Sequence, residues 1–506
     1  MNTIYQLFAR NVTLTPNKTA VYYQNEQVSY QSLMTSVDVF ANSLASIGVK
    51  RGSTVTLFSG NNIEFVITLL AIAKLGAAVA PLPLTLKGHA LATAIKQIDC
   101  QFAIAWQHTA KQIIDNKLLT AKQVVTMGHV VGNEYSFSEL LANQELLAQE
   151  IEPAQLDDDF IYTMTSGSTG QPKPIVFSQA TKVNRAFQAT IEHYNLSPDD
   201  VILVATPMYH SLALRSILMP LMLGATAVIL PKFTTQGWLQ AIASQKVTFL
   251  FAVSSQLTAL LPLLSNGDDY DLSSLKCVVS SSATLAPEDK TKLMAKFACQ
   301  FHECYGASEL GVVTNFDITQ PEQVLESVGK PLPFVKVKVV DGNRNAVTRG
   351  DVGEIACQSS TRFKGYYNLP EKTANSIDEL GYFYTGDLGF IDEQGFLHFV
   401  GRTSEVIKSG GINVYPKDIE QVMLQHEDIE SCAAVAMSDE QFGEVIWLVY
   451  STVSGEKLTQ VDLMKLAMAE LTDYQLPRKY IFMNALPQSA LGKILKPEIK
   501  KILQTQ

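Results

Sequence analysis

Tyr162-Thr-Met-Thr-Ser-Gly-Ser-Thr-Gly-Gln-Pro-Lys-Pro174 is the most informative stretch of this 506-residue chain. It interleaves the hydroxyl residues Thr165, Ser166, Ser168 and Thr169 with Gly167 and Gly170, and it ends on Lys173. Glycines let successive backbone N–H groups turn toward one anion, hydroxyls add donors, and lysine supplies the charge that phosphate requires. The stretch therefore reads as a phosphate cradle; by composition alone it also fits a Ser/Gly surface loop. The spacing is not that of GxxxxGK[ST], so a Walker loop is excluded.

Around this loop, β-rich apolar runs alternate with helical patterns over the first four hundred residues. Thr54–Phe58 precedes the amphipathic stretch Asn62–Leu75, Val201–Ala205 precedes Ser211–Leu223, and Cys277–Ser280 precedes Pro287–Phe297. Such alternation predicts an α/β fold of parallel sheets covered by helices. After Asp341 turn residues become frequent, as in Asp341-Gly342-Asn343 and Arg349-Gly350-Asp351, which predicts a small β-rich subdomain. From about Ser404 a mixed pattern follows: helix Pro416–Gln425, strands Cys432–Met437 and Val445–Ser451, and helix Gln460–Leu471. The expected division is a large N-terminal domain, 1–402, and a small mobile α+β C-terminal domain, 403–506.

Bulk properties narrow the function. The net charge of -10 disfavours nucleic acid and anionic membranes as partners. The six cysteines are scattered without CxxC spacing, which argues against a zinc site or a disulfide framework and fits a cytoplasmic protein. The start shows no signal-peptide pattern, and the apolar runs Phe65–Ala73 and Ser216–Leu230 are too short to span a membrane, so they read as buried core.

Further motifs follow the loop in order: Pro207-Met-Tyr-His210, Tyr305-Gly-Ala-Ser-Glu309, Tyr384-Thr-Gly-Asp387, Gly401-Arg402, Ile407-Lys-Ser-Gly-Gly411, Asp418-Ile-Glu420 and Leu491-Gly-Lys-Ile494. In this order and spacing the chain resembles the adenylate-forming superfamily of acyl-CoA synthetases, nonribosomal peptide synthetase adenylation domains and firefly luciferase. The resemblance, nearest to acyl-CoA ligases, covers nearly the whole chain and implies activation of a carboxylic acid by ATP as acyl-AMP, with transfer to a thiol.

It also implies roles. Thr165–Gly170 and Lys173 would hold the ATP phosphates, Glu309 would bind Mg2+, and the hydroxyl of Ser308 would reach the α-phosphate. Tyr305 and Phe399 would flank adenine, with Ser282, Ala283, Glu303 and Gly306 completing the nucleotide pocket. Asp387 and Arg402 would hold the ribose, and Lys493 would be the main cation of adenylation. The catalytic set is thus Lys493, Glu309, Ser308, Thr165 and Lys173. His210, Val253, Ser281, Ala307 and Val312 would line the acyl pocket, and Lys408, Ser409, Gly410 and Gly411 would face the thiol arm.

Three positions depart from the pattern. Ser280-Ser-Ser-Ala283 stands where Ser-Gly-Gly-Ala is common, Ser404 where the hinge has aspartate or lysine, and Pro174 where glycine follows the loop lysine. The expected acid is a medium-chain fatty acid or an aryl acid, because the motif stretches carry no aspartate for an α-amino group. Arg215 is expected as a solvated helix residue, or, pointing inward, as the partner of a second carboxylate. The expected acceptor is coenzyme A, and the main rival is the phosphopantetheine arm of a carrier protein. A weakly active or binding-only protein of the same fold is a further alternative.

Overall fold

The apolar run Phe65–Ala73 is the centre of an α-helix, Ile63–Leu75, that is buried along almost its whole length. Asn62 caps it, its side chain accepting the Phe65 N–H, and Gly76 ends it at φ 65°, a left-handed conformation glycine takes without strain. A helix apolar on every face belongs inside a protein. This computed structural model describes residues 2–130, 132–143, 151–166, 172–265, 270–283, 285–319, 326–409, 412–439, 443–489 and 492–505.

The chain forms two compact units. The first comprises Met1–Gln323, Leu332–Lys336 and Gln358–Phe383; the second comprises Val324–Pro331, Val337–Cys357 and Tyr384–Gln506. The β-rich segment after Asp341 thus largely belongs with the C-terminal residues.

Two large sheets build the first unit. One runs in the order Gly311–Asp317, Gln300–Ala307, Cys277–Ser281, Phe249–Val253, Val201–Val204, Thr226–Ile229, Thr19–Tyr23, Glu26–Ser29. Among these eight strands the pairings are parallel except those of Gly311–Asp317 with Gln300–Ala307 and of Thr19–Tyr23 with Glu26–Ser29. The other runs Gly365–Tyr366, Pro172–Ser178, Asp159–Ser166, Ala78–Pro81, Thr54–Phe58, Phe102–Trp106, Val124–Met127, Tyr135–Ser136. Its inner strands Ala78–Pro81, Thr54–Phe58 and Phe102–Trp106 are parallel and apolar, as strands covered on both faces must be. The expected parallel α/β core is therefore present, and the helix Ser211–Leu223 has the predicted bounds.

In the second unit, Gly353–Ser359, Phe383–Ile391 and Leu397–Arg402 belong to a four-stranded sheet. Its turns are tied by side chains: Asp341 accepts the Asn343 and Asn345 N–H groups, and Asp392 accepts those of Gln394 and Phe396. A five-stranded sheet follows, with the long hairpin partners Ile429–Asp439 and Gly443–Thr452 at one side. Both strands outrun the expected Cys432–Met437 and Val445–Ser451. The ladder continues through polar residues such as Ser431 opposite Ser451, which carry no hydrophobic signal. Ile419, Met423, Leu448 and Leu463 bury the helices Pro416–Met423 and Gln460–Glu470 against this sheet.

Candidate active site

Strand Asp159–Ser166 pairs antiparallel with Pro172–Ser178, with Thr165 opposite Lys173 and Ser166 opposite Pro172. Gly167, Ser168, Thr169 and Gly170 lie outside the described residues, as do the side chains of Thr165 and Ser166. Lys173 lies against a second lysine, Lys372, on the helix Pro370–Ser376. Burial, then the Lys173 ammonium, push Lys372 down to about 8, while Glu309 opposes the shift. The Lys372 Nζ lies 5.3 Å from the centre of the Tyr366 ring, and the Tyr366 hydroxyl donates to Glu309 Oε1 at 3.0 Å. Two ammonium groups held together and a tethered carboxylate suit a polyphosphate with its counter-cation.

Glu309 fits the magnesium expectation. In nucleotide sites Mg2+ takes few carboxylates and completes its shell with phosphate oxygens and water. Among the described residues no group of three or more His, Cys, Asp or Glu side chains could hold a metal. Because Lys372 loses its proton as pH rises through about 8, kcat/KM for ATP should step down there, by roughly tenfold, the scale of one charge-assisted hydrogen bond. The profile of Lys372→Ala should lack that step; an identical step in the variant would assign it to another group.

Tyr305-Gly-Ala-Ser-Glu309 spans the end of strand Gln300–Ala307 and the turn that leads into strand Gly311–Asp317. Gly306 is obligatory, since a Cβ there would collide with the Gly311 carbonyl. Two residues invisible to motif reading hold the turn. Arg185 donates from Nη2 to the carbonyls of Ser308 and Glu309 at 3.0 and 3.2 Å, and from Nε to that of Thr361 at 2.9 Å. Thr361 in turn donates its hydroxyl to the Leu310 carbonyl at 2.7 Å. Burial and nearby Arg215 lower Arg185 to about 9. Glu303, expected at the nucleotide, is buried, with Oε2 2.6 Å from the buried Lys290 and Oε1 accepting the Leu285 N–H at 2.8 Å. It braces the strand end beneath the turn.

The parallel strands bring the acyl-pocket residues to one edge. Val253 lies opposite Ser281, Ser280 opposite Glu303, and Gly306 opposite Val312, so the C-terminal ends of neighbouring strands carry Val253, Ser281 and Ala307. Ligands of open α/β sheets bind at such ends. His210 caps the helix Ser211–Leu223; burial holds its imidazole down to about 4, and Nε2 is buried without a partner among the described residues. It is therefore neutral at pH 7 and a weak proton acceptor. Arg215 is not a solvated helix residue: its Nε and Nη1 are buried, and its guanidinium lies 5.4 Å from the Phe251 ring centre.

Ser282 and Ala283 are exposed, and Ser282 has φ 82°. The serine that replaces the usual glycine thus adopts a glycine conformation. Ser282→Gly should stabilise the protein by about 1 kcal/mol, the cost of a left-handed L-residue. Denaturant midpoints measure this, and an unchanged or lower midpoint would mean that the Ser282 side chain makes compensating contacts.

In the second unit, Asp387 lies directly opposite Arg402 across an antiparallel pair, with Arg402 Nε 3.1 Å from Asp387 Oδ1. Lys493 follows Gly492, which has φ 76°, and its N–H donates to Ser489 Oγ at 3.1 Å. Lys493 is exposed as a residue, yet desolvation and then Arg402 lower its ammonium, against Glu405 and Asp387. Sequence-distant Asp387, Arg402 and Lys493 therefore share one electrostatic neighbourhood. Lys496 anchors the segment by ion pairs to Glu420 at 2.7 Å and Glu405 at 3.4 Å. The Phe399 carbonyl accepts from Lys417 at 2.6 Å, and the lysine lies over the ring. Lys408 and Ser409 lie on strand Ile407–Ser409, where the Lys408 N–H donates to Glu444; Gly410 and Gly411 lie outside the described residues. Ser404 sits in the 3-10 turn Thr403–Glu405.

The chain belongs to the AMP-binding enzyme family: residues 8–367 match that family and residues 418–493 match the AMP-binding enzyme C-terminal domain. The 2-succinylbenzoate–CoA ligase of Bacillus cereus (strain ATCC 10987 / NRS 248) is 27% identical over 100% of both chains. The indoleacetate–CoA ligase of Aromatoleum aromaticum is 28% identical over 98% of this chain and 97% of its own. The ATP-bound crystal structure of MatB from Rhodopseudomonas palustris superposes with a TM-score of 0.89 at 26% identity, covering 99% of both chains. Both relatives are named as acid–CoA ligases, and the family itself is one of AMP-binding enzymes. No helix among the described residues is long and apolar enough to cross a membrane.

Proposed function

We propose that the chain converts a fatty or aryl carboxylic acid to its coenzyme A thioester through a tightly held acyl-adenylate. Convergence of Lys173, Lys372 and the Tyr366-tethered Glu309 carries this reading, because opposed cations and a carboxylate are what polyphosphate and its metal require. In the first half-reaction a carboxylate oxygen attacks the α-phosphorus, the bond to the β-phosphate oxygen breaks, and pyrophosphate leaves. Both reactants are anions, so Lys493 lowers the barrier by bridging carboxylate and α-phosphate oxygens. Ser308 donates to the α-phosphate, Asp387 and Arg402 hold the ribose, and Tyr305 and Phe399 flank the adenine. Glu309 would hold Mg2+, which when bound neutralises phosphate charge.

In the second half-reaction the coenzyme A sulfur attacks the acyl carbon and AMP leaves. Rotation of residues 403–506 withdraws Lys493 and brings Lys408–Gly411 to the thiol arm. Pyrophosphate release with ATP and magnesium over a panel of fatty, aryl and amino acids, with and without coenzyme A, tests the reading. Fast turnover only with coenzyme A supports it. Slow release indifferent to coenzyme A, with acyl-AMP accumulating, would favour a carrier protein as acceptor.

A further inference from the structure

Lys182 and Arg185 project from the helix Gln179–Ala186, and Arg215 from the helix Ser211–Leu223, onto one cavity also lined by Leu218, Met219 and Met222. Lys182 and Arg185 are 6% and 2% exposed. Arg185 Nη1 and Arg215 Nε and Nη1 are buried donors with no hydrogen-bond partner among the described residues. Buried donors are rarely left so, and buried cations are normally paired with acids. Here the cations disfavour one another; among the described residues Glu309 supports Arg185, and Cys304 and Tyr194, neither of them a carboxylate, support Arg215. Aromatic faces cushion the charges: Phe177 lies 4.1 Å from Lys182 and 4.3 Å from Arg185. They accept no conventional hydrogen bond from the orphaned donors.

The cluster borders the acyl pocket. Arg215 lies on the helix capped by His210, and its guanidinium faces Phe251 on the strand that ends in Val253. It also acts on Cys304, which is hydrogen-bonded to Ser281. On its other side Arg185 grips the turn that carries Ser308 and Glu309. The cavity measures about 10 Å³, but Met219 and Met222 in its wall are unbranched and adaptable.

We propose that Lys182, Arg185 and Arg215 form a buried anion subsite that receives a second acidic group of the acid substrate, remote from the carboxylate that is adenylated. This rests on the ligase reading and narrows its substrate to a dicarboxylic acid, aliphatic or aryl. A fatty acid tail would leave the cations unpaired and bury methyl groups against charge.

Matched pairs test it in the unaltered protein with ATP, magnesium and coenzyme A: hexanoate against adipate, octanoate against suberate, and benzoate against phthalate. The expected result is a kcat/KM higher by about 100-fold or more for the diacid of at least one pair, as for a site built around a polar group. Arg215→Met should cut that ratio by about 100-fold, mainly through KM for the diacid. Monoacids used as well as their diacids would overturn the subsite while leaving the ligase intact. A rate on monoacids that depends on chloride, without diacid preference, would assign the cations to a free anion and equally overturn it. Absence of pyrophosphate with every acid would remove the ligase reading itself, and the subsite with it.

Discussion

Lys493→Ala should slow acyl-adenylate formation by on the order of 10³-fold, the scale found when a preorganised charge is removed from a transition state. Thioester formation from supplied acyl-AMP and coenzyme A should be largely intact. The geometry supports the asymmetry. Lys493 sits in the field of Asp387 and Arg402, the pair proposed above to hold the ribose, so under that proposal its charge falls beside the α-phosphate. Truncation leaves the local fold alone, because the Lys493 backbone keeps its bond to Ser489 and Lys496 keeps its ion pairs to Glu405 and Glu420. Single-turnover quench experiments on each half-reaction measure the split. Equal loss in both halves would remove Lys493 from the adenylation step and make it a structural residue.

Glu309→Gln should lower kcat/KM for ATP by about 10²- to 10³-fold and raise the magnesium concentration needed for half-maximal rate. The amide still offers an oxygen to the Tyr366 hydroxyl, and Arg185 grips the backbone carbonyls of the turn rather than this side chain. What disappears is the negative charge alone. Tyr366→Phe, which keeps that charge but releases its tether, should cost far less. A magnesium titration of each variant separates the two, and a wild-type magnesium requirement in Glu309→Gln would show that the metal is held elsewhere.

What was legible in the sequence is what lies consecutively along it. The strand and helix alternation, the helix Ser211–Leu223, and the turn from Tyr305 to Glu309 could be read because their apolar periods or motif residues are adjacent in the chain. Arg185, Thr361, Tyr366 and Lys372 could not, because the sheets and the helix Pro370–Ser376 bring them to Glu309 and Lys173 from distant segments. Arg215 was left between a solvated and an inward reading for a related reason. A helix whose apolar residues surround an arginine gives no sign of which side faces the core, and this arginine is turned inward. Ser281 and Ser282 showed in the sequence only as departures from the usual glycines; at Ser282 the effect is on the backbone, since only coordinates reveal its positive φ. Glu303 carried no hint that Lys290, buried on the helix Pro287–Lys296, would claim it.

The strand Gly365–Tyr366 that aims the tyrosine at Glu309 is also the rim of its sheet, and the opposite rim, Tyr135–Ser136, is just as short. Exposed strand margins are templates on which other chains can add, and very short ones offer too few free N–H and C=O groups to seed such growth. The two residues therefore couple the tether on Glu309 to colloidal behaviour: a change that unpairs Gly365–Tyr366 from Pro172–Ser178 would release that carboxylate and bare a seven-residue strand to self-association in the same stroke.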